Sequence, residues 1–379
     1  MRLLQRTLIG ILVMAALSPE MALSQRASDD REGSIFPSHG FLITGYGSTG
    51  YRATFLEDDA PNDFQASVNP IMLFQISDRF LFEAELEFEL EEGVTATGLE
   101  YAQIDYSLTD NLKVMAGKFL LPFNIFSERL HPTWINKFVS TPPLYGHEAG
   151  VSASPLLPIL SDVGLQVRGT FDLKDFWYVT GVAFISQGPS IEEEHEEEPG
   201  MEPEGPFEVP EVVFGRNFED NNESKMVGGR LGLGLAPYFE LNLSAMTADY
   251  DPVGQLRFTA YGAHLEARHR GVELHGEWIL TRQDVTATED PTQVETLERD
   301  GYFVQAGYRV GNWEPIARWT QILDGEVDSV TVLEGADQLG LGMAYWFTPT
   351  LVAKAEYLLH FEDADVENNQ LALQWAFGF

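Results

Sequence analysis

The chain contains no cysteine, and its 23 lysine and arginine residues stand against 59 aspartate and glutamate residues. Without cysteine there is no disulfide framework, no thiolate metal site and no thioether anchor for lipid. The net charge of -36 excludes nucleic acid as a partner, because a phosphate backbone is held by basic surfaces. Long apolar runs are also missing. Beyond the stretch from Leu8 to Leu17, no segment approaches the roughly 18 consecutive apolar residues of a membrane helix. Any membrane crossing therefore has to use strands.

The first residues, "MRLLQRTLIGILVMAALSPEMALSQ", place Arg2 and Arg6 before the apolar run and Ala22 and Ser24 after it. This is the pattern of a secretory signal peptide over 1–24, leaving 25–379 as the exported chain. Aromatic content of 12% and 34 glycines suit a β-barrel, and a periplasmic β-sandwich equally.

Alternation between turn signals predicts sixteen strands, near 39–48, 64–76, 79–90, 97–108, 111–121, 162–171, 176–187, 224–235, 238–250, 256–268, 271–283, 300–310, 313–323, 337–347, 350–361 and 368–379. Most have the length that a tilted strand needs to cross a bilayer, about 9 to 11 residues. Their connections alternate. Seven are tight, such as "SD" at 77–78 and "TP" at 348–349, and the others, including 122–161, 188–223 and 284–299, are longer, more acidic or both. A transmembrane barrel puts all its short turns on one side, whereas a sandwich has no reason to do so.

The faces agree. In "RFLFEAELEFEL" the apolar residues Phe80 to Leu90 share one side, and Glu83, Glu85, Glu87 and Glu89 the other. A ladder of four carboxylates needs water. The chain ends on "NNQLALQWAFGF", in which Leu371, Leu373, Trp375, Phe377 and Phe379 form one apolar face suited to lipid. Trp375, Phe377 and Phe379 also read as a terminal signal for barrel-assembly machinery, which would add to the free strand edge. Aromatics near strand ends, among them Tyr302, Trp313, Trp346 and Phe347, read as an interfacial girdle.

Alternation places Arg168, Arg230, Arg268, Arg309, Arg318 and Lys354 on the lumen face of the later strands, opposite Glu83, Glu85, Glu87, Glu89 and Asp105 on the early ones. Two walls of opposite sign would set a transverse field across a water path. The alternative is that the arginines pair with carboxylates near them, such as Glu240, Glu266, Glu277, Glu314 and Glu356.

Segment 122–161 is too long for an idle connection and carries Trp134, Ile135 and Phe138 beside Glu128, Arg129, His131 and Lys137. So much apolar mass points to a constriction loop folded into the barrel, with a cap over the mouth or a subunit contact as the alternative. The run "IEEEHEEEPGMEPEGPFEVPE" holds ten glutamates between 192 and 211 and one imidazole, His195. Like-charge repulsion and proline favour a solvated external loop there. No Gly-x-Ser-x-Gly signature occurs, and no enzymatic activity or cofactor is expected. No metal site is expected either; His264 and His275, on adjacent strands, are the one pair worth checking for a metal.

"MAGKFLLPF" at 115–123 resembles the strand-to-loop passage of the phosphate- and polyphosphate-selective outer-membrane porins, the O/P family, and "FSERLHPTWINKFVSTP" at 126–142 resembles what related general porins carry there. The resemblance implies a sixteen-stranded bacterial outer-membrane barrel, assembled as a homotrimer among outer-membrane lipid, that passes ions and small hydrophilic solutes. The chain departs from the anion-selective members in its shortage of basic residues. That shortage favours cations; an anion-selective channel and a closed structural or adhesive barrel are the other readings.

Overall fold

Period-2 alternation commits a strand to one wet and one apolar face, and a sheet with sixteen such strands removes its edges by closing on itself. The computed structural model describes residues 40–55, 62–91, 94–146, 153–158, 161–191, 206–214, 222–290, 292–361 and 368–379. The signal-peptide region and the glutamates between 192 and 205 lie outside the described residues. Sixteen antiparallel strands form the barrel: β1 (Gly40–Phe55), β2 (Asn62–Gln75), β3 (Phe80–Glu91), β4 (Val94–Ser107), β5 (Leu112–Leu120), β6 (Ser161–Asp172), β7 (Trp177–Ser186), β8 (Met226–Leu235), β9 (Phe239–Asp249), β10 (Arg257–His269), β11 (Val272–Ala287), β12 (Val294–Tyr308), β13 (Trp313–Ile322), β14 (Ala336–Thr348), β15 (Leu351–Phe361) and β16 (Asn369–Gly378).

Each strand pairs with the next, and β16 closes the ring on β1 in a register running from Tyr46↔Gly378 to Phe55↔Asn369. The main-chain groups of Gly45 and Phe379 exchange two further hydrogen bonds, of 3.1 and 3.0 Å. Leu371, Leu373, Trp375, Phe377 and Phe379 face outward, 37 to 54% exposed, while Ala372 and Ala376 face inward and are buried. In water such a surface would be an aggregation site; in lipid it is matched. An aromatic chain, Trp313–Tyr345–Phe347–Trp375, links β13, β14 and β16 at the tight-turn end with ring centroids 4.7, 4.7 and 5.1 Å apart.

Three expectations are corrected. Trp346 is not a girdle residue: it points inward, and its indole N–H donates to Glu314 Oε2 at 2.9 Å. The connection expected over 284–299 is mostly strand, because Val285 and Leu297 pack with Val327 of a small hairpin, Gly325–Val327 and Val330–Leu333, and extend the sheet beyond the barrel. The end of the acidic connection is packed as well. Phe207 and Glu208 pair with Ala287 and Thr286, and Val212 and Val213 with Ile191 and Ser190, so apolar residues at 207, 212 and 213 order a segment whose charge alone favours solvation.

β3 and β4 contain one irregularity that matters for charge. Glu85 pairs with Tyr101 and Leu86 with Leu99, so Glu100 is the extra residue of a bulge.

Because the last two main-chain bonds of the closing register belong to Phe379, its deletion is expected to lower the yield of heat-modifiable barrel while export continues. Gel mobility of heated and unheated samples measures this, and an unchanged folded fraction would contradict the closure argument.

Candidate functional site: the inward segment and its charged wall

Between β5 and β6 the chain turns into the barrel. Gly117 begins the approach with a φ of 125°, and a Cβ there would stand 2.3 Å from the Ala102 carbonyl oxygen, so only glycine fits. Phe119, Leu121, Phe123, Ile125 and Phe126 follow, all buried. A single π-helical turn at Phe126–Leu130 then reverses the path, with His131 N–H bonded to the Phe126 carbonyl at 3.0 Å. Phe138, Leu144, Tyr145, Leu156 and Leu157 bury the remainder against the inner wall. Each such side chain contributes about 1.5 to 3 kcal/mol when it leaves water.

The wall is shaped to receive them. Gly262 faces Phe123 and Asn124, Gly301 faces Leu144 and Leu156, and Gly340 and Gly342 face Phe138; a Cβ at 262, 301 or 340 would stand under 3.0 Å from a neighbour, and one at 342 would stand 3.2 Å from the Phe138 ring. Lumen-facing glycines thus carve seats for the apolar residues of the segment.

Polar groups of the segment are met by charges from the wall. Glu356 on β15 accepts the N–H groups of Val139 at 2.7 Å and Ser140 at 3.0 Å. Arg318 on β13 donates to the Ser140 carbonyl at 3.2 Å and its Oγ at 2.8 Å, with the guanidinium 4.4 Å from the Phe138 ring centre. Lys354 Nζ donates to the carbonyls of Thr133 and Phe138 and to Gln374 Oε1. On the other side Glu277 on β11 accepts Ile125 N–H at 3.0 Å, Phe126 N–H at 2.8 Å and the Tyr145 hydroxyl. Arg230 on β8 donates to the Asn124 carbonyl and binds Glu128 at 2.6 Å.

Of the residues expected in the constriction loop, Glu128 joins Arg168 and Arg230, Arg129 lies 3.5 Å from Glu240, and Lys137 bridges Glu273 and Glu314. Both ring nitrogens of His131 are buried. Among the basic wall residues, Arg230, Arg318 and Lys354 are buried beneath the segment at 2, 0 and 4% exposure. Arg268 pairs with Glu266 and Glu273 lower on the wall. Arg309 lies past the end of β12 at a tight turn, exposed and stacked on Trp346 at 5.0 Å. The basic side of the barrel is thus engaged in holding the segment or in local ion pairs.

The polar contacts of the segment named above come from β6, β8, β9, β11, β13 and β15, and the seats from β10, β12 and β14. Glu83, Glu87 and Glu89 on β3 are partly accessible to water, as is Glu100, which the bulge sets beside Glu85. Glu85 is buried next to the Tyr46 and Tyr101 hydroxyls, and Asp105 is held by Lys113 at 2.6 Å. Below the segment, a cavity of about 150 Å³ lined by Tyr178, Glu240, Glu266 and Arg268 opens at the tight-turn end.

This architecture has counterparts among solved structures. No family model matches the chain, and no curated protein matches it in sequence. The trimer form of OmpT, an outer membrane protein of Vibrio cholerae, is 12% identical with a TM-score of 0.53, over 90% of this chain and all of that one. The outer membrane channel DcaP of Acinetobacter baumannii is 10% identical with a TM-score of 0.55, over 92 and 99%. An anion-selective porin from Comamonas acidovorans is 9% identical with a TM-score of 0.56, over 90 and 100%. The fold is that of outer-membrane porins. Within the porin fold, Glu277, Glu314 and Glu356 hold the inward segment, where the sequence offered them only as ion-pair partners of the wall arginines, and Glu100 and the lumen-facing glycines are the parts it did not assign at all. Glycine at inward positions of β10, β12 and β14 was the available signal.

Burial alone would raise the Glu128 carboxyl, but Arg168, Arg230 and Arg129 hold it well below the usual carboxylate range. Burial lowers His131 from its ordinary 6.5 to about 4. Both groups bind protons more readily in the undocked segment, so both contributions are present at neutral pH and fade on acidification. Histidine loses its share between pH 6.5 and about 4, and the carboxylate loses its share from the ordinary carboxylate range downward. Amide exchange in 123–145 should therefore speed up below pH 6, after correction for the intrinsic rate, with His131→Gln removing the upper part of that dependence. A flat corrected rate down to pH 4 would oppose it.

Glu356→Gln keeps size but removes the charge that accepts two amides. It is expected to weaken docking by roughly 1 to 3 kcal/mol, seen as faster exchange at 133–145 in a barrel that stays heat-modifiable.

Proposed function

We propose that the chain is a non-enzymatic bacterial outer-membrane porin, a water-filled channel for passive diffusion of ions and small hydrophilic solutes with a preference for cations. One observation carries this reading: the inward segment buries Arg230, Arg318 and Lys354, whereas Glu83, Glu87, Glu89 and Glu100 keep contact with water on the other arc. The water path then runs along a carboxylate wall. Its low-dielectric surroundings strengthen the field of those charges over a Debye length of about 8 to 10 Å. The two-sided transverse field gives way to a one-sided acidic one.

The alternating short turns and longer loops support an orientation with the tight turns in the periplasm. The outward apolar face supports lipid contact, and the terminal Trp375, Phe377 and Phe379 support recognition by barrel-assembly machinery. A homotrimer agrees with the trimer form of OmpT. Placement within the O/P family rests on the Gly117–Phe119 passage into Pro122 and Phe123. Selection of phosphate is disfavoured by the same burial of basic residues. A second reading, a barrel that does not conduct, draws on the large apolar cluster that the segment builds inside the wall.

Planar-bilayer recording separates these readings. The folded protein should produce discrete conductance steps, and reversal potentials in a KCl gradient should show a cation preference that fades as salt rises. Changing Glu83, Glu85, Glu87 and Glu89 to glutamine should shift the reversal potential towards chloride. Chloride preference in the unmodified channel would overturn the acidic-wall reading, and absence of conductance would favour the closed barrel.

A further inference from the structure

One group of inward side chains brings three lone-pair donors to a point. His264 on β10 and His275 and Glu277 on β11 are 1, 6 and 2% exposed. His264 Nδ1 lies 2.9 Å from Glu277 Oε1 and 3.2 Å from His275 Nε2, and His275 Nε2 lies 3.6 Å from the same carboxylate oxygen.

Hydrogen bonding between neutral imidazoles does not satisfy this triangle. A proton on His264 Nδ1 is directed either to the carboxylate or to the second imidazole, and at 3.6 Å a proton on His275 Nε2 does not reach Glu277. If His264 Nδ1 carries the proton for Glu277, the His275 Nε2 lone pair is left without one. If His275 Nε2 carries it for His264, then the Nδ1 lone pair faces the carboxylate at 2.9 Å. In a buried place the first arrangement leaves an acceptor without a partner, and the second sets two acceptor lone pairs against each other.

A cation at the centre satisfies all three at once. Ligand distances of about 2.0 to 2.2 Å in a tetrahedral zinc site put neighbouring ligand atoms about 3.3 Å apart. The three observed separations, 2.9, 3.2 and 3.6 Å, bracket that edge without rearrangement of the strands. Adjacent positions in the β10–β11 register fix the geometry, since His264 pairs with Glu277 and Glu266 with His275. Two imidazole nitrogens favour zinc-class transition ions over calcium and magnesium, which take oxygen ligands.

We propose that His264, His275 and Glu277 form a three-ligand site for a tetrahedral divalent transition-metal ion of the zinc class, with solvent completing the coordination. Glu277 also holds the amides of Ile125 and Phe126, so the ion ties β10 and β11 to the inward segment through one carboxylate. Metal binding and docking of the segment are then linked, each favouring the other. This site does not depend on the channel reading and stands whether or not the barrel conducts.

The test uses the full exported chain in detergent, stripped with chelator and held in excess Mg²⁺ to occupy surface carboxylates. Titration with Co²⁺ should give one equivalent per chain with the intense visible absorption of tetrahedral cobalt, displaced by one equivalent of Zn²⁺. His264→Gln and His275→Gln, checked for heat modifiability, should lower the affinity on the order of 100-fold or more, because each removes a ligand from a three-ligand set. His269→Gln, at the exposed end of β10, should leave it unchanged. X-ray absorption of the zinc-loaded unmodified protein keeps the test decisive if a variant fails to fold: two imidazole ligands are expected. Absence of tetrahedral absorption at one equivalent, absence of imidazole scattering, or folded variants that bind as well as the unmodified chain would each overturn the site.

Discussion

Charges buried in the barrel wall are compensated by the backbone of a segment whose described residues hold only a single helical turn. Arg318 and Lys354 meet carbonyl oxygens, and Glu277 and Glu356 meet amide hydrogens. Neither partner is stable alone. Irregular backbone inside an apolar enclosure leaves amides and carbonyls without partners, and wall charges beneath an apolar segment are desolvated. Together they satisfy one another, so the position of the segment and the burial of these basic residues share a single cause.

This division of labour gives the two arcs different chemical roles. The later strands supply a docking surface, in which glycines at 262, 301, 340 and 342 admit rings and branched chains while ions fix the main chain. The early strands supply the electrostatic surface, where the β3 ladder is reinforced by Glu100 through the β4 bulge. The His264, His275 and Glu277 group lies on the docking side, where added rigidity acts on the segment and leaves the carboxylate wall unaltered.

Strand number, facing and turn placement were legible in the sequence because period-2 alternation and turn chemistry are local. Each lumen position of Arg230, Arg318 and Lys354 follows from counting along its own strand. What stands opposite them does not, since a count along β13 carries no information about Ser140, which lies 178 residues away. That is why the basic arc reads as open lining in the sequence and as an anchor in the structure. Trp346 misled for a related reason: an aromatic near a strand end suits a girdle, but its parity sets it inside, against Glu314. The Val285, Leu297 and Val327 cluster reversed the expectation for 284–299, where strand-forming residues were hidden among acids and threonines.

The anchors at 124–126 and 138–140 grip main-chain atoms, so they fix where the backbone lies, and only the side chains that fill no seat in the wall are left open to change. Val139, half-buried and with its amide donating to Glu356 at 2.7 Å, illustrates this. Such a frame can exchange the unseated side chains displayed inside the barrel while keeping its shape.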